Sequence, residues 1–351
     1  ERLATRAAHS GGERSSQPWV GARFGLGEQW YNAGRATEAQ AVFVDLLDGL
    51  GAAPSYQRCV TLGMLGRCLA MQGQLGEAAA RYRQKLEELA GLEQDQDVKR
   101  GTGLAHIDLG DVLTDLGDYP GARAAYQAAL AIMQELGDAR SIGAINGQFG
   151  TLALRQGQLA EAAQRYQAAL GIFRQINEPG SEAVIHHQLG MTYQAAGQWD
   201  AAEQACRESA RLNESQGNLQ GAAESWNQLA TVTLLVGKPA EAEDWFRKAI
   251  AGLHAAGDTA SESKALNNLA VLLLSLGQKD RLAEARQLAT QALAIMETLD
   301  PVGVEIWKTY AILAEIAERE DKPEEAADWR AKRKAVIESL PEKIRRNLGL
   351  A

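Results

Sequence analysis

Eight copies of one short pattern run through this chain and leave it little choice of fold. Each copy has Leu or Phe followed by Gly or Ala, in most copies a Gly seven residues later, and an Ala five residues beyond that. The small residue of the first pair is Gly27, Gly66, Gly110, Gly150, Gly190, Ala230, Ala270 and Ala314. The second landmark is Gly34, Gly73, Gly117, Gly157, Gly197, Gly237 and Gly277, with Asp321 standing in for Gly in the last copy. The Ala that follows is Ala39, Ala78, Ala122, Ala162, Ala202, Ala242, Ala285 and Ala326, the seventh coming after a three-residue insertion. From Gly117 to Gly277 four consecutive steps are 40 residues each. Self-similarity at a fixed period marks a repeat architecture, in which each unit buries its apolar face against its neighbours.

One copy shows the local logic. Ile142, Ile145, Phe149 and Leu152 recur at the three- and four-residue steps of a helix stripe. Gly157 interrupts it, as a glycine suited to a left-handed helix end does. Ala162, Tyr166, Ala169, Leu170 and Phe173 resume the helical spacing, and Asn177-Glu178-Pro179-Gly180 turns the chain into the next copy. The predicted fold is therefore all-α, a solenoid of about eight helical hairpins. Residues 19–340 form the array, 341–351 a C-terminal capping segment, and 1–18 the remnant of a preceding repeat with its linker. Leu3-Ala4-Thr5-Arg6-Ala7 matches Leu288-Ala289-Thr290-Gln291-Ala292 in the seventh copy, so the chain is expected to open inside the second helix of an earlier repeat.

Composition narrows the function. A net charge of −9 argues against wholesale nucleic-acid binding, which needs clustered positive charge. The stretch from Arg330 to Arg346 is locally basic, and reads as a solvated helix face. No apolar run approaches the roughly 20 residues of a membrane span, so no membrane partner is expected. Three cysteines with no metal-ligand spacing fit small core residues in a reducing, cytoplasmic setting. His186-His187 is the only histidine pair, and adjacent helical residues diverge too far to share a metal. No phosphate-cradling loop, zinc helix motif or nucleophile elbow is present. Neither a cofactor nor catalysis within the chain is expected.

The pattern resembles the tetratricopeptide repeat family. Leu109-Gly110, Gly117, Ala122 and Tyr126 carry its motif, and the aromatic recurs as Phe43, Tyr82, Tyr166 and Phe246. Cys206, Ala289 and Arg330 depart from it. The 40-residue period exceeds the family's usual length of about 34. It is similar to the longer variety in kinesin light chains, in spindle-orientation adaptors with GoLoco motifs, and in bacterial signalling proteins with STAND ATPase modules. The resemblance implies a right-handed superhelix whose first helices line a groove for a protein or peptide segment.

The face that would line the groove can be picked out by register. Leu26, Leu65, Leu109, Phe149, Leu189, Leu229, Leu269 and Leu313 are expected in the core. The preceding position carries Asp108, Gln148, Gln188, Gln228 and Asn268, a row suited to peptide backbone because each amide both donates and accepts. In the light-chain and spindle-adaptor families Asn at this position contacts ligand main chain, which carries over directly to Asn268. Two readings stay open: groove contact, or a solvent-facing position that tolerates amides. Around the row lie His187, Asn227 and Asn267, then Arg67, Asp111 and Thr151, then Asp115 and Arg155. Later copies turn apolar at Met191, Leu234, Leu235, Val271 and Leu274. These either form an apolar anchor site or pack within their own repeat. The function expected is a non-catalytic scaffold for a peptide or protein segment. The alternative is a sensor arm acting on other domains of the same polypeptide.

Overall fold

A ring laid on a glycine joins the two helices of four hairpins, and it explains the repeat landmarks there. The structure, a computed structural model, describes residues 16–299, 305–340, 342 and 345. The expected remnant at 1–18 falls almost wholly outside them, as does most of the 341–351 segment. Among the described residues all regular structure is helical. The chain divides into two compact units, Glu1–Asn177 and Glu178–Ala351.

Unit 1 holds four hairpins: α1 (Gln17–Asn32) with α2 (Ala36–Leu50), α3 (Tyr56–Met71) with α4 (Leu75–Ala90), α5 (Gln96–Leu116) with α6 (Tyr119–Glu135), and α7 (Ala139–Arg155) with α8 (Leu159–Gln175). Unit 2 holds four more: α9 (Pro179–Ala195) with α10 (Trp199–Ser215), α11 (Leu219–Leu235) with α12 (Pro239–Ala256), α13 (Thr259–Ser275) with α14 (Leu282–Met296), and α15 (Ile306–Arg319) with α16 (Pro323–Ser339). The three-residue insertion of the seventh copy becomes a single 3-10 turn, Lys279–Arg281. Within each unit each helix packs on the next, and most successive first helices also touch. Each unit is thus an α-solenoid of four hairpins.

The turns follow the pattern. All seven landmark glycines have positive φ, and Asp321 adopts the same conformation at φ 56°. Asp tolerates it because its short polar side chain bonds locally. A second such position closes the second helices at Gly137, Asn177, Gly217 and Gly257, all with positive φ. Five first helices have a side-chain cap that accepts a backbone N–H three residues on: Asp138, Asn218 and Asp258 just after such positions, and Ser55 and Asp95 at the starts of α3 and α5.

Core positions match the register with one departure. Leu109, Phe149, Leu189, Leu229, Leu269 and Leu313 are all buried, as is Leu65. Leu26, also expected in the core, is only half-buried, because no described helix precedes α1 to cover it. A Cβ placed on Gly66, Gly110 or Gly150 would stand 2.8, 2.4 or 2.7 Å from the ring of Tyr82, Tyr126 or Tyr166. On Gly27 it would meet Phe43 at 2.6 Å, and on Gly190 the Sγ of Cys206 at 2.7 Å. The small residue and the aromatic are therefore two halves of one contact, and Cys206 replaces the ring by a sulfur in that contact. The three cysteines are free and buried. The Arg330 end of the basic stretch lies in ion pairs, Arg330 with Glu318 and Lys332 with Asp328.

The second helices are tied by charge. Arg123 of α6 reaches Glu161 of α8 at 3.1 Å in unit 1. In unit 2 Arg207 of α10 reaches Glu241 of α12, Arg247 of α12 reaches Glu284 of α14, and Arg286 of α14 reaches Glu325 of α16, at 2.5–2.6 Å. These partly exposed pairs share carboxylates with further bases, such as Arg281 on Glu284, which makes them networks and not isolated bridges.

Two stability outcomes follow. Gly110→Ala, forced against Tyr126, is expected to cost about 1–3 kcal/mol in urea unfolding, the range for overpacking a filled core. Leu269→Ala, fully buried in the wild type, is expected to cost about 2–5 kcal/mol in the same measurement.

Candidate functional site

With the second helices linked by ion pairs, the first helices present the chemically varied face. In unit 2 it runs along α9, α11 and α13. Its outer positions are Val184, 59% exposed, Leu235, 54%, and Val271, 47%. Inside them, between α9 and α11, lies a cleft of about 750 Å3. Its polar wall includes His187, Glu224, Asn227, Gln228 and Lys264, and its apolar wall Met191, Trp199, Leu235 and Leu253. Gln188 lines a smaller neighbouring cleft of about 370 Å3, and His187 stands between the two.

Gln228 is the unusual residue of this face. It is 8% exposed, and among the described residues neither its Oε1 nor its Nε2 has a hydrogen-bond partner. It leans from α11 onto α9 over Gly190, where an added Cβ would come within 3.3 Å of Nε2. An amide buried without partners costs about 1–3 kcal/mol, so both groups stand available to whatever enters the cleft. The buried Nδ1 of His187 also lacks a partner, and burial pulls that ring's pKa down, which favours neutral imidazole. Asn268 is half-buried and donates to the Oδ1 of Asn227 at 3.3 Å, joining α13 to α11.

Three expected site residues turn out to serve packing. Asn267 is buried and donates to Thr309 Oγ1 at 2.7 Å, stapling α13 to α15. Leu274 is buried, in the core cluster with Leu269 and Leu273, and Arg319 donates to its carbonyl at 2.5 Å. Leu234 is half-buried against the same cluster. Asn267 and Asn268 differ in their surroundings because a one-residue step on a helix turns a side chain by about 100°. Of the five apolar positions named from the sequence, Leu235 and Val271 are exposed.

Unit 1 carries a different chemistry at the same repeat positions. Asp108 accepts from Arg67 with both carboxylate oxygens at 3.3 Å, yet burial still raises its pKa. Gln148 is half-buried. Asp111 accepts from the hydroxyl of Tyr126 at 2.7 Å, and Thr151 meets that of Tyr166 at 2.9 Å. In both copies the tyrosine that covers the glycine thus also ties itself to the first helix. Arg155 is exposed and pairs with Asp115 at 2.9 Å. No group of three or more metal-binding side chains is found among the described residues, and no helix there is long and apolar enough to cross a membrane.

Asp111 has a pH consequence. Burial, aided by Asp108 and Asp115, pushes its pKa from 3.8 up to about 7. The folded state therefore holds this proton more tightly than the unfolded chain, and stability falls as pH rises from about 4 to about 7. Asp111→Asn should raise the melting temperature at about pH 8, with the gain shrinking toward about pH 4. A gain equal at both ends would contradict the assignment.

Comparison with known proteins agrees with this architecture. A tetratricopeptide repeat family model matches residues 102–175, 181–255 and 222–298, and a second matches 60–84. No curated protein sequence matches significantly. Among solved structures, a signal transduction ATPase with numerous domains and a tetratricopeptide repeat sensor, from Pyrococcus horikoshii, aligns over 97% of this chain at 14% identity and TM-score 0.68. The chain spans about half of that protein, 51% of its length. The apo quorum sensor NprR from B. thuringiensis aligns over 96% of this chain and 91% of its own at 13% identity and TM-score 0.65. A Rap protein complexed with competence and sporulation factor aligns over 94% and 98% at 14% identity and TM-score 0.59. At such identities these likenesses speak for the fold. The family models together span more than half of the 351 residues, and the chain belongs to the tetratricopeptide repeat family.

Proposed function

We propose that this chain is a non-catalytic scaffold that holds a peptide or protein segment against its first-helix face, with the α9–α11 cleft as the main contact. The observation that carries the reading is the buried, unpartnered amide of Gln228, opening on a cleft of about 750 Å3. A peptide backbone supplies the donor and acceptor that such an amide lacks. Met191, Trp199 and Leu235 add apolar surface for side chains beside it. The Rap protein solved with a bound factor, and the quorum sensor NprR, offer the same kind of reading for this fold.

A second reading rests on a separate observation: the chain lies along half the length of a signalling ATPase that has a repeat sensor. On that reading the array is a sensor or regulatory arm, and its partner is another domain of the same polypeptide. The full-length gene product decides it; a reading frame holding no further domain on either side would exclude it.

Selection from a random linear peptide library, followed by calorimetry, tests the scaffold reading. Replacing Gln188, Gln228 and Asn268 together by Ala is expected to leave the helical signal intact and weaken the selected peptide at least about tenfold, or 1.4 kcal/mol. Unchanged affinity, or a library that yields no binder, would reject it.

A further inference from the structure

A second cavity lies within unit 1, among α3, α4 and α5, and encloses about 220 Å3. One of its walls is Lys85, on α4. The side chain is 8% exposed, and it forms no hydrogen bond or ion pair among the described residues. Its stem passes over Gly63 of α3, where an added Cβ would lie 3.0 Å from Nζ. The carboxylates nearby are already engaged. Asp108 is held by Arg67 at 3.3 Å, and Glu88 by Arg58 at 3.0 Å. Lys85 is the cation left over. Lysine is almost never this buried unless paired, and desolvation lowers its pKa accordingly.

The rest of the wall is mainly apolar: Val60, Met64 and Leu89, with Tyr56 and Leu104, 42% and 38% exposed. We propose that this cavity binds a compact monocarboxylate, its carboxylate against Lys85 and its apolar body against Tyr56, Val60 and Leu104. Asp108 acts on the ammonium only at longer range, and a carboxylate gives it the direct partner it lacks, in a setting where charge-assisted hydrogen bonds are strong. Arg67 and Asp108 line the same cavity as an ion pair, so among the lining residues Lys85 is the one unengaged cation, which matches a single negative charge and not the two of a phosphate. The size agrees: an apolar cavity of about 150 Å3 takes a benzene ring, so this one has room for a ring or short alkyl chain with its acid group. The acid can be free or can be the C-terminal carboxylate of a peptide; both present the same chemistry. The site shares no residue with the α9–α11 cleft and does not depend on the function proposed for it.

Titration of the full chain followed by NMR tests this, with benzoate, benzamide, phenyl phosphate, and a Phe-terminated tripeptide as free acid and as amide. Benzoate is expected to saturate below about 10 mM, a weak affinity on the scale where 1 mM is about 4 kcal/mol. Benzamide and phenyl phosphate should each bind at least tenfold more weakly. A tripeptide acid that binds tenfold better than both benzoate and its own amide identifies a chain end as the source; otherwise the source is a free acid. Lys85→Met should weaken benzoate at least tenfold while melting no lower than wild type, since it removes an unpaired buried charge. Should it fail to fold, Leu104→Trp, at the exposed rim, narrows the cavity and should weaken benzoate similarly. Benzamide or phenyl phosphate binding as well as benzoate, benzoate failing to saturate, or full benzoate affinity in the folded variants would overturn the proposal.

Discussion

The closeness of the two helices in a hairpin governs the rest of this structure. At Gly66, Gly110 and Gly150 a tyrosine ring occupies the space where a side chain would begin. That contact sets how near the helices lie, and the helix spacing sets which residues remain on the first-helix face. It also explains why the glycine and the aromatic recur together at a constant separation. Where Ala230 replaces the glycine, the partner is Phe246, which lacks a hydroxyl and is still buried.

The two sides of each stack then diverge in chemistry. Second helices are linked along the array by Arg–Glu pairs such as Arg207–Glu241 and Arg247–Glu284. First helices carry amides, small residues and isolated apolar groups. Where those groups are satisfied they hold the stack together, as Asn267 does through Thr309 and Asp111 through Tyr126. Where a polar group is left without a partner, as at Gln228 on a first helix and Lys85 on a second, a cavity lies beside it. Unsatisfied groups next to open space are sites where binding gains most, because the desolvation cost has already been met in folding.

Much of the fold was legible in the residues. The turn glycines, the αL role of Asp321 and the two-helix copy follow from spacing and from backbone sterics, which act locally. The core row followed too, except Leu26, whose exposure depends on what covers α1. The candidate site was only partly legible. The row Gln148, Gln188, Gln228 and Asn268 falls on first helices, as its spacing implied, while the burial of the residues beside it was not legible. Asn267 and Leu274 are buried by α15 and by the core, through contacts that periodicity within one helix does not record. Lys85 gave no signal at all, since a lysine on a second helix is ordinarily solvated.

The sequence by itself determined the helical hairpin, its period, its turns and the packing of ring on glycine, because each arises from residues close along the chain. Which polar groups would find partners was decided only by tertiary structure. Gln188 and Gln228 occupy the same repeat position, yet only Gln228 has its amide buried with both atoms unpaired. The surroundings of each amide are set by the neighbouring helices: Gln228 leans over Gly190, where a Cβ would lie 3.3 Å from its Nε2. Partnering depends on distances between helices far apart in sequence, and no pattern within one repeat encodes them.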